Sequence, residues 1–150
     1  MAWSAPSNVT TGDLITAATW NQDVVSNPTA LLPMAFEYVI DGGTVAIAAG
    51  TYADIEVPYK CDLTTVRVVT DQTGCLILDV WKTAYSALPP ASASSICSAC
   101  KPTLTAASGY EDTALTNWTT AIAAGDWLRI RVVSCTSITK ATFSARGNRS

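Results

Sequence analysis

The fold is decided by residues 53–82, ADIEVPYKCDLTTVRVVTDQTGCLILDVWK. Around Val66 and Val68, apolar and polar residues alternate with a period of two, which is typical of a half-buried β-strand. Residues 71–74 (Asp-Gln-Thr-Gly) have the composition of a turn. After them, residues 75–81 carry apolar side chains on both faces, which predicts a central strand covered on both sides. The stretch therefore predicts two strands joined by a turn, and no catalytic chemistry.

Turn signals separate further short strands on both sides of this stretch. Strands are predicted at residues 35–41, 44–48, 53–57, 94–100, 127–133 and 137–145, and residues 102–115 are predicted to be irregular. About eight short strands without a long helix predict an all-β fold. We expect an antiparallel two-sheet sandwich, jelly-roll-like, with a short helical N-terminal arm. The predicted domains are the arm (residues 1–34) and a β-domain (residues 35–150).

Composition favours a packed domain over a disordered chain. Hydrophobic residues make up 49% of the 150 residues and charged residues 14%, where about 25% charged is usual. Two compatible interpretations stay open: a tightly packed β-domain, and a subunit whose surface is covered by neighbours. The net charge of −3 and the lack of a basic stripe argue against a nucleic-acid partner. No apolar run is long enough to span a bilayer, so no membrane insertion is expected.

Five cysteines leave at least one unpaired within the chain. Residues 1–4 lack the basic start and apolar segment of a signal peptide, so folding in a cytoplasm and reduced, buried thiols are expected. The alternative is that disulfides form after release into an oxidising medium, with Cys97 or Cys100 joined to a strand cysteine. These two cysteines also have the spacing of half a zinc site. Because a structural zinc needs a second pair, no metal or cofactor is predicted.

The sequence offers little for catalysis. It contains no histidine, which removes the commonest general base. Most carboxylates fall at turns or on outward strand positions; Asp79 is the one predicted to be partly buried, in a salt bridge or a backbone hydrogen bond. A glycosidase would need two facing carboxylates in a groove. No catalytic residue is predicted, and the chain is expected not to be an enzyme.

The tryptophans and tyrosines have two explanations. Their rings would suit a sugar-binding face, because aromatic side chains combine an apolar body with a polar tip. Packing in the core and at subunit contacts also explains them, and this second explanation is favoured.

The arm carries a short helical pattern that needs a surface to pack on. Thr16 is predicted to cap a helix in which Ala17, Trp20 and Val24 form one apolar stripe. A helix this short is marginal alone. It packs either on its own domain or against a partner or sister copies, and the second interpretation is favoured. The predicted assembly interface consists of six side chains: Trp3, Leu14, Ile15, Trp20, Val24 and Leu31.

Two regions resemble a known class of proteins. Residues 15–27, ITAATWNQDVVSN, contain a T-A-x-x-x-N core with a second Asn further on, and they resemble the short N-terminal arm common in tailed-phage fibre and tail proteins. The rest of the chain resembles a β-domain found repeatedly in such proteins. The matching pieces, in order, are VPYKC (57–61), DQTG (71–74), LDVWK (78–82), KPTL (101–104), LTNW (115–118) and AGDWLR (124–129). Cys75, Cys97, Cys100 and Cys135 are not part of this pattern.

The resemblance implies a non-enzymatic structural protein of a bacteriophage virion, such as a head or tail fibre, spike or decoration subunit. The arm would dock on other virion proteins or on sister copies, as a homotrimer, and the β-domain would project. Assembly would take place in the host cytoplasm. The alternative is a carbohydrate- or receptor-binding module at the tip of a fibre, with a glycan of the host surface as its ligand.

Overall fold

The computed structural model describes Ala5, residues 10–26 and residues 31–150. The chain divides into two compact units, residues 1–33 and residues 34–150. In the first unit, the α-helical turn α1 (Ala17–Trp20) continues as a π-helical turn over Asn21–Ser26. None of the helical segments in these described residues is long and apolar enough to cross a bilayer.

The described strands account for most of the second unit. They are β1 (Pro33–Asp41), β2 (Tyr52–Val57), β3 (Cys61–Ala84), β4 (Thr103–Asp112), β5 (Ala121–Ile122), β6 (Asp126–Thr136) and β7 (Lys140–Arg149). The predicted all-β class and the short N-terminal helix are confirmed. Of the individual strands, the predictions at residues 35–41, 53–57 and 127–133 are confirmed as β1, β2 and β6.

The strands form one curled antiparallel sheet in the order β1-β7-β3-β6-β2, and β4 and β5 also pair with β3. Val66 lies opposite Ala145 of β7 and Asp112 of β4, so β7 and β4 flank β3 on opposite sides. Further along the strand, Leu76 lies between β6 and β4. β3 therefore changes partner from β7 to β6 along its length while β4 accompanies both halves. The described strands make one curled sheet, and the two-sheet sandwich stays a prediction.

β3 continues as one strand through the predicted turn at residues 71–74, so that prediction is wrong. The reason lies in the neighbouring strands, because β6 and β7 run end to end along one edge of β3 with a corner between them. The Asp71 carboxylate accepts hydrogen bonds from the backbone N–H groups of Thr139 and Lys140, at 3.2 and 3.0 Å. Asp71, a residue type that favours turns, therefore stabilises the corner between β6 and β7 and does not reverse the direction of β3.

Four other predictions from local patterns differ from the structure. Residues 44–48, predicted as a strand, form turns and irregular chain. Residues 94–100, also predicted as a strand, make only an isolated bridge to β3. Residues 102–115, predicted to be irregular, contain β4, because the second edge of β3 supplies their hydrogen-bond partners. The last strand is shifted from the predicted residues 137–145, since the β6–β7 corner occupies its beginning.

The core lies against the face of the sheet on which apolar residues recur with a period of two. Leu128, Ile130 and Val132 of β6 are fully buried, and so are Leu78 and Val80 of β3. Fully burying such a side chain stabilises the fold by about 1.5–3 kcal/mol. Asp79 and Trp81, on the opposite face, are also buried. The prediction that this part of β3 is covered on both sides is therefore confirmed.

The substitution Gly74→Ala tests the close contact between β3 and the β6–β7 corner. A Cβ atom at this position would lie 2.6 Å from the Thr136 carbonyl oxygen and 2.7 Å from Ile138 Cγ1. Gly74→Ala is therefore expected to lower the free energy of unfolding by about 1–3 kcal/mol, because backbone atoms must move. Urea denaturation measures this change. In the control Gly109→Ala, the new Cβ lies 3.9 Å from the nearest atom, and we expect no loss. Equal stability of the two variants would contradict the packing described.

Candidate functional site

The arm exposes most of the apolar side chains assigned to the assembly interface. Thr16 caps α1 as predicted, since the Thr19 N–H donates to the Thr16 hydroxyl at 3.2 Å. No residue of α1 is buried. The exposed fractions of the predicted interface residues are 88% for Leu14, 54% for Ile15, 54% for Trp20, 49% for Val24 and 67% for Leu31. The sixth, Trp3, lies outside the described residues.

These five side chains expose apolar groups to water. A large apolar side chain contributes about 1.5–3 kcal/mol when it moves from water to a packed environment. The helix that carries Trp20 is too short to be stable by propensity alone, so its order depends on packing.

A second surface of interest is the face of β2, β6 and β3 that points away from the core. We call it the outer face. It consists of three cross-strand rows: Tyr52–Arg131–Asp79, Asp54–Arg129–Trp81 and Glu56–Trp127–Thr83. Because side chains alternate along a strand, burying Leu128, Ile130 and Val132 forces these residues onto the other side. The outer face thus combines three aromatic rings with two guanidinium groups and three carboxylates.

Arg129 holds the middle of the outer face together. Its Nε and Nη2 atoms donate to the two Asp54 carboxylate oxygens at 2.7 and 2.6 Å. Its guanidinium also lies 3.8 Å from the centre of the Tyr52 ring and donates to the Pro90 carbonyl at 3.3 Å. The hydrogen bond to Asp54 raises the pKa of Arg129 further, so the group stays charged. Such a bidentate pair fixes orientation as well as charge.

Asp79 lies at one side of the outer face, buried in a network of side chains. Its Oδ1 accepts hydrogen bonds from the Ser95 hydroxyl at 2.6 Å and from the Cys97 thiol at 3.1 Å. Its Oδ2 lies 3.1 Å from the Lys101 ammonium. Burial raises the pKa of Asp79, but these hydrogen bonds outweigh it and leave the pKa below its usual 3.8. The predicted burial and salt bridge are confirmed, and the hydrogen bonds come from side chains instead of backbone.

The five cysteines are all free thiols in this structure. Cys61 and Cys97 are buried as expected, whereas Cys75 is exposed. Burial raises the pKa of the Cys97 thiol, which makes it a poor nucleophile and suits its role as a donor to Asp79. Among the described residues, no three His, Cys, Asp or Glu side chains are arranged to hold a metal ion.

The predicted aromatic residues divide between the core and the surface. Trp81 and Trp118 are buried, and the Trp118 indole N–H donates to the Cys100 carbonyl at 3.0 Å. Tyr52, by contrast, is 54% exposed. The sequence pattern places Arg129 and Arg131 outward, but it gives no signal that Tyr52 and Asp54 lie beside them. That proximity follows from the register between β2 and β6.

Asp79→Asn tests the buried network and its pH dependence. We expect the free energy of unfolding at pH 7 to fall by about 1–3 kcal/mol, because Lys101 loses its charged partner. The pKa of Asp79 is lowered in the folded chain. Its carboxylate therefore stabilises the fold above the unfolded pKa of about 4, and this contribution disappears as the pH falls through the folded pKa.

The measurement is urea denaturation at pH 7 and pH 3. The difference in stability between the natural chain and Asp79→Asn should shrink at the lower pH. Asp62→Asn makes the same chemical change at an exposed position of the same strand and should leave stability nearly unchanged. A difference for Asp79→Asn that is the same at both pH values would contradict this account of the carboxylate.

Comparisons with known proteins identify no family. No family model matches the chain, and no curated protein matches it. Among solved structures, a chain in "Structure of infectious bursal disease virus Gx strain" is similar at 10% identity with a TM-score of 0.21. The match covers 79% of this chain and 37% of that chain, so this chain spans little more than a third of its neighbour. A TM-score at this level supports no conclusion about fold or function.

Proposed function

We propose that the chain is a non-enzymatic structural subunit of a bacteriophage virion, which docks through its N-terminal arm and projects its β-domain. The observation that carries the proposal is the exposure of Leu14, Ile15, Trp20, Val24 and Leu31 on the arm. Apolar side chains concentrated in this way mark a surface that another protein covers. The resemblance of residues 15–27 to tailed-phage arms supplies the kind of partner.

The proposed partners are other virion proteins and sister copies, with the homotrimer as the assembled form. Closed symmetric assemblies are the usual state of soluble homo-oligomers, and an arm from each copy would bury its apolar side chains in the others. The place of the assembled protein is the virion, after assembly in the host cytoplasm. A fibre, a spike and a head decoration subunit all fit this description.

For the β-domain, the proposal includes a two-sheet, jelly-roll-like arrangement. It is supported by the way β3 pairs with β7 over residues 61–70 and with β6 over residues 75–84. Register shifts lie between these two stretches, in the pairing of β3 with β4. Bulges of this kind bend a strand, which allows one strand to contribute to two packed layers.

The absence of enzymatic activity in the proposal is supported by the acidic groups. A glycosidase needs one carboxyl whose pKa is raised, so that it can act as an acid. Where the pKa of a carboxyl is shifted in the described chain, at Asp13, Asp41, Asp71 and Asp79, it is lowered by hydrogen bonds. Such carboxylates hold the fold together and are poor proton donors at neutral pH.

Trp20→Ala tests the proposed role of the arm. Removing an aromatic anchor from an interface costs about 2 kcal/mol or more, which weakens association about 30-fold. We expect the mass of the natural chain in sedimentation to correspond to an oligomer, and that of Trp20→Ala to shift towards the monomer. Circular dichroism should show an unchanged β-domain, because Trp20 lies in the arm.

Tyr85→Ala is the matched control. It removes an exposed aromatic ring from the β-domain, and we expect it to leave the mass unchanged. A natural chain that sediments as a monomer, or a Trp20→Ala chain that keeps the natural mass, would overturn the proposed role of the arm.

A further inference from the structure

We propose that the outer face binds a saccharide that carries a carboxylate. In this site the Arg131 guanidinium pairs with the carboxylate, and the Tyr52 ring packs against the sugar. The site lies on β2 and β6 of the β-domain, and it does not depend on the exposure of the arm. It gives the β-domain a ligand of defined chemistry.

Arg131 is the cation of the outer face that has no carboxylate partner. Arg129, two residues away, is fully engaged by Asp54. Asp79 lies opposite Arg131 in the register, but its oxygens are taken by Ser95, Cys97 and Lys101. Within the described part of the chain, Arg131 belongs to no ion pair, and its contact is with the Trp81 ring, 5.4 Å from the ring centre.

The Arg131 guanidinium lies near the Trp81 ring and near Gly50. The side chain is half-buried, so its charge is partly removed from water and interacts strongly with an opposite charge. A Cβ atom built on Gly50 would lie 3.9 Å from Nη2, in ordinary van der Waals contact. In the proposed site the carboxylate approaches the guanidinium on the side of Gly50, which has no side chain, in the bidentate geometry that both groups favour.

Tyr52 provides the adjoining platform. It lies directly opposite Arg131 in the pairing of β2 with β6, which places the two Cβ atoms about 5 Å apart. The Arg129 guanidinium stacks on its ring at 3.8 Å and fixes its orientation, yet 54% of the residue stays exposed. A rigid, exposed ring beside a cation suits the apolar C–H face of a pyranose whose carboxylate points towards Arg131.

Charge complementarity decides which ligand fits. The outer face also contains Asp54, Glu56 and Asp79, two of which are already paired with Arg129 and Lys101. One cation, Arg131, is left over, and the exposed Glu56 lies four residues along β2 from Tyr52, the residue opposite Arg131. A single unpaired cation can pair with one carboxylate, whereas a nucleic acid requires several unpaired cations. A sugar with one carboxylate, of the uronic or sialic acid class, meets both conditions.

The test uses the full-length chain and three probes: glucuronic acid, the methyl glycoside of N-acetylneuraminic acid, and glucose as the neutral control. Saturation-transfer NMR and calorimetric titration measure binding. We expect saturable binding of at least one acidic sugar. Arg131→Gln should weaken that binding by about tenfold or more, because a charged hydrogen-bonded pair is lost. Arg131→Lys, which keeps the charge without the bidentate geometry, should give an intermediate affinity.

Arg67→Gln is the matched control, since it removes an exposed arginine of β3 that is paired with Glu111. It should leave sugar binding unchanged, whereas Tyr52→Ala should weaken it. Failure of both acidic sugars to bind, or equal affinities of the natural chain and a folded Arg131→Gln chain, would overturn the site. Neither outcome alters the mass of the assembly. A loss of sugar binding is therefore distinguishable from a failure of the arm.

Discussion

The structure depends on a single constraint: most of the 24-residue strand β3 must have both edges hydrogen-bonded. A buried backbone N–H or C=O without a partner costs free energy comparable to a lost hydrogen bond. β7 and then β6 satisfy one edge, while β4 and β5 satisfy much of the other. Beyond the end of β4, the loop that precedes it supplies hydrogen-bond partners for β3. The Leu78 N–H donates to the Pro102 carbonyl, and the Ile96 N–H donates to the Val80 carbonyl. The loop that carries Ser95, Cys97 and Lys101 is thereby brought to Asp79.

Local sequence patterns predict those strands whose burial alternates. Leu128, Ile130 and Val132 show the period of two, and β6 lies where that period predicts it. β4 has no such signal, since Leu104 is its one fully buried side chain. Its strand conformation comes from the hydrogen bonds that β3 offers, which a local pattern does not contain. The turn predicted from residues 71–74 is wrong for the same reason, because the Asp71 carboxylate accepts a hydrogen bond from Thr139, 68 residues away, at the β6–β7 corner.

The candidate sites also combine features that local sequence predicts with features that only long-range pairing determines. The apolar side chains of the arm can be predicted from the sequence, since Leu14, Trp20 and Val24 lie within a short segment that precedes the first predicted strand. The burial of Asp79 follows from its apolar neighbours, but the identity of its partners does not, because they arrive from a loop. Predicting the outer face requires two pieces of information. Alternation places Arg129 and Arg131 outward, and the register of β2 against β6 decides that Tyr52 stands next to one and Asp54 next to the other.

The low charge content now has a physical interpretation. Within the described residues, five of the nine lysines and arginines are already held in ion pairs inside the chain. Exposed pairs such as Arg67–Glu111 contribute little to stability, typically about 0–1 kcal/mol, so the β-domain depends on its apolar core. The other four cations are in no ion pair within the described residues: Lys60, Arg146 and Arg149 are exposed, whereas Arg131 is half-buried. A half-buried charge interacts more strongly with an opposite charge than an exposed one, because less water screens it. This difference is the reason why the proposed ligand is placed at Arg131.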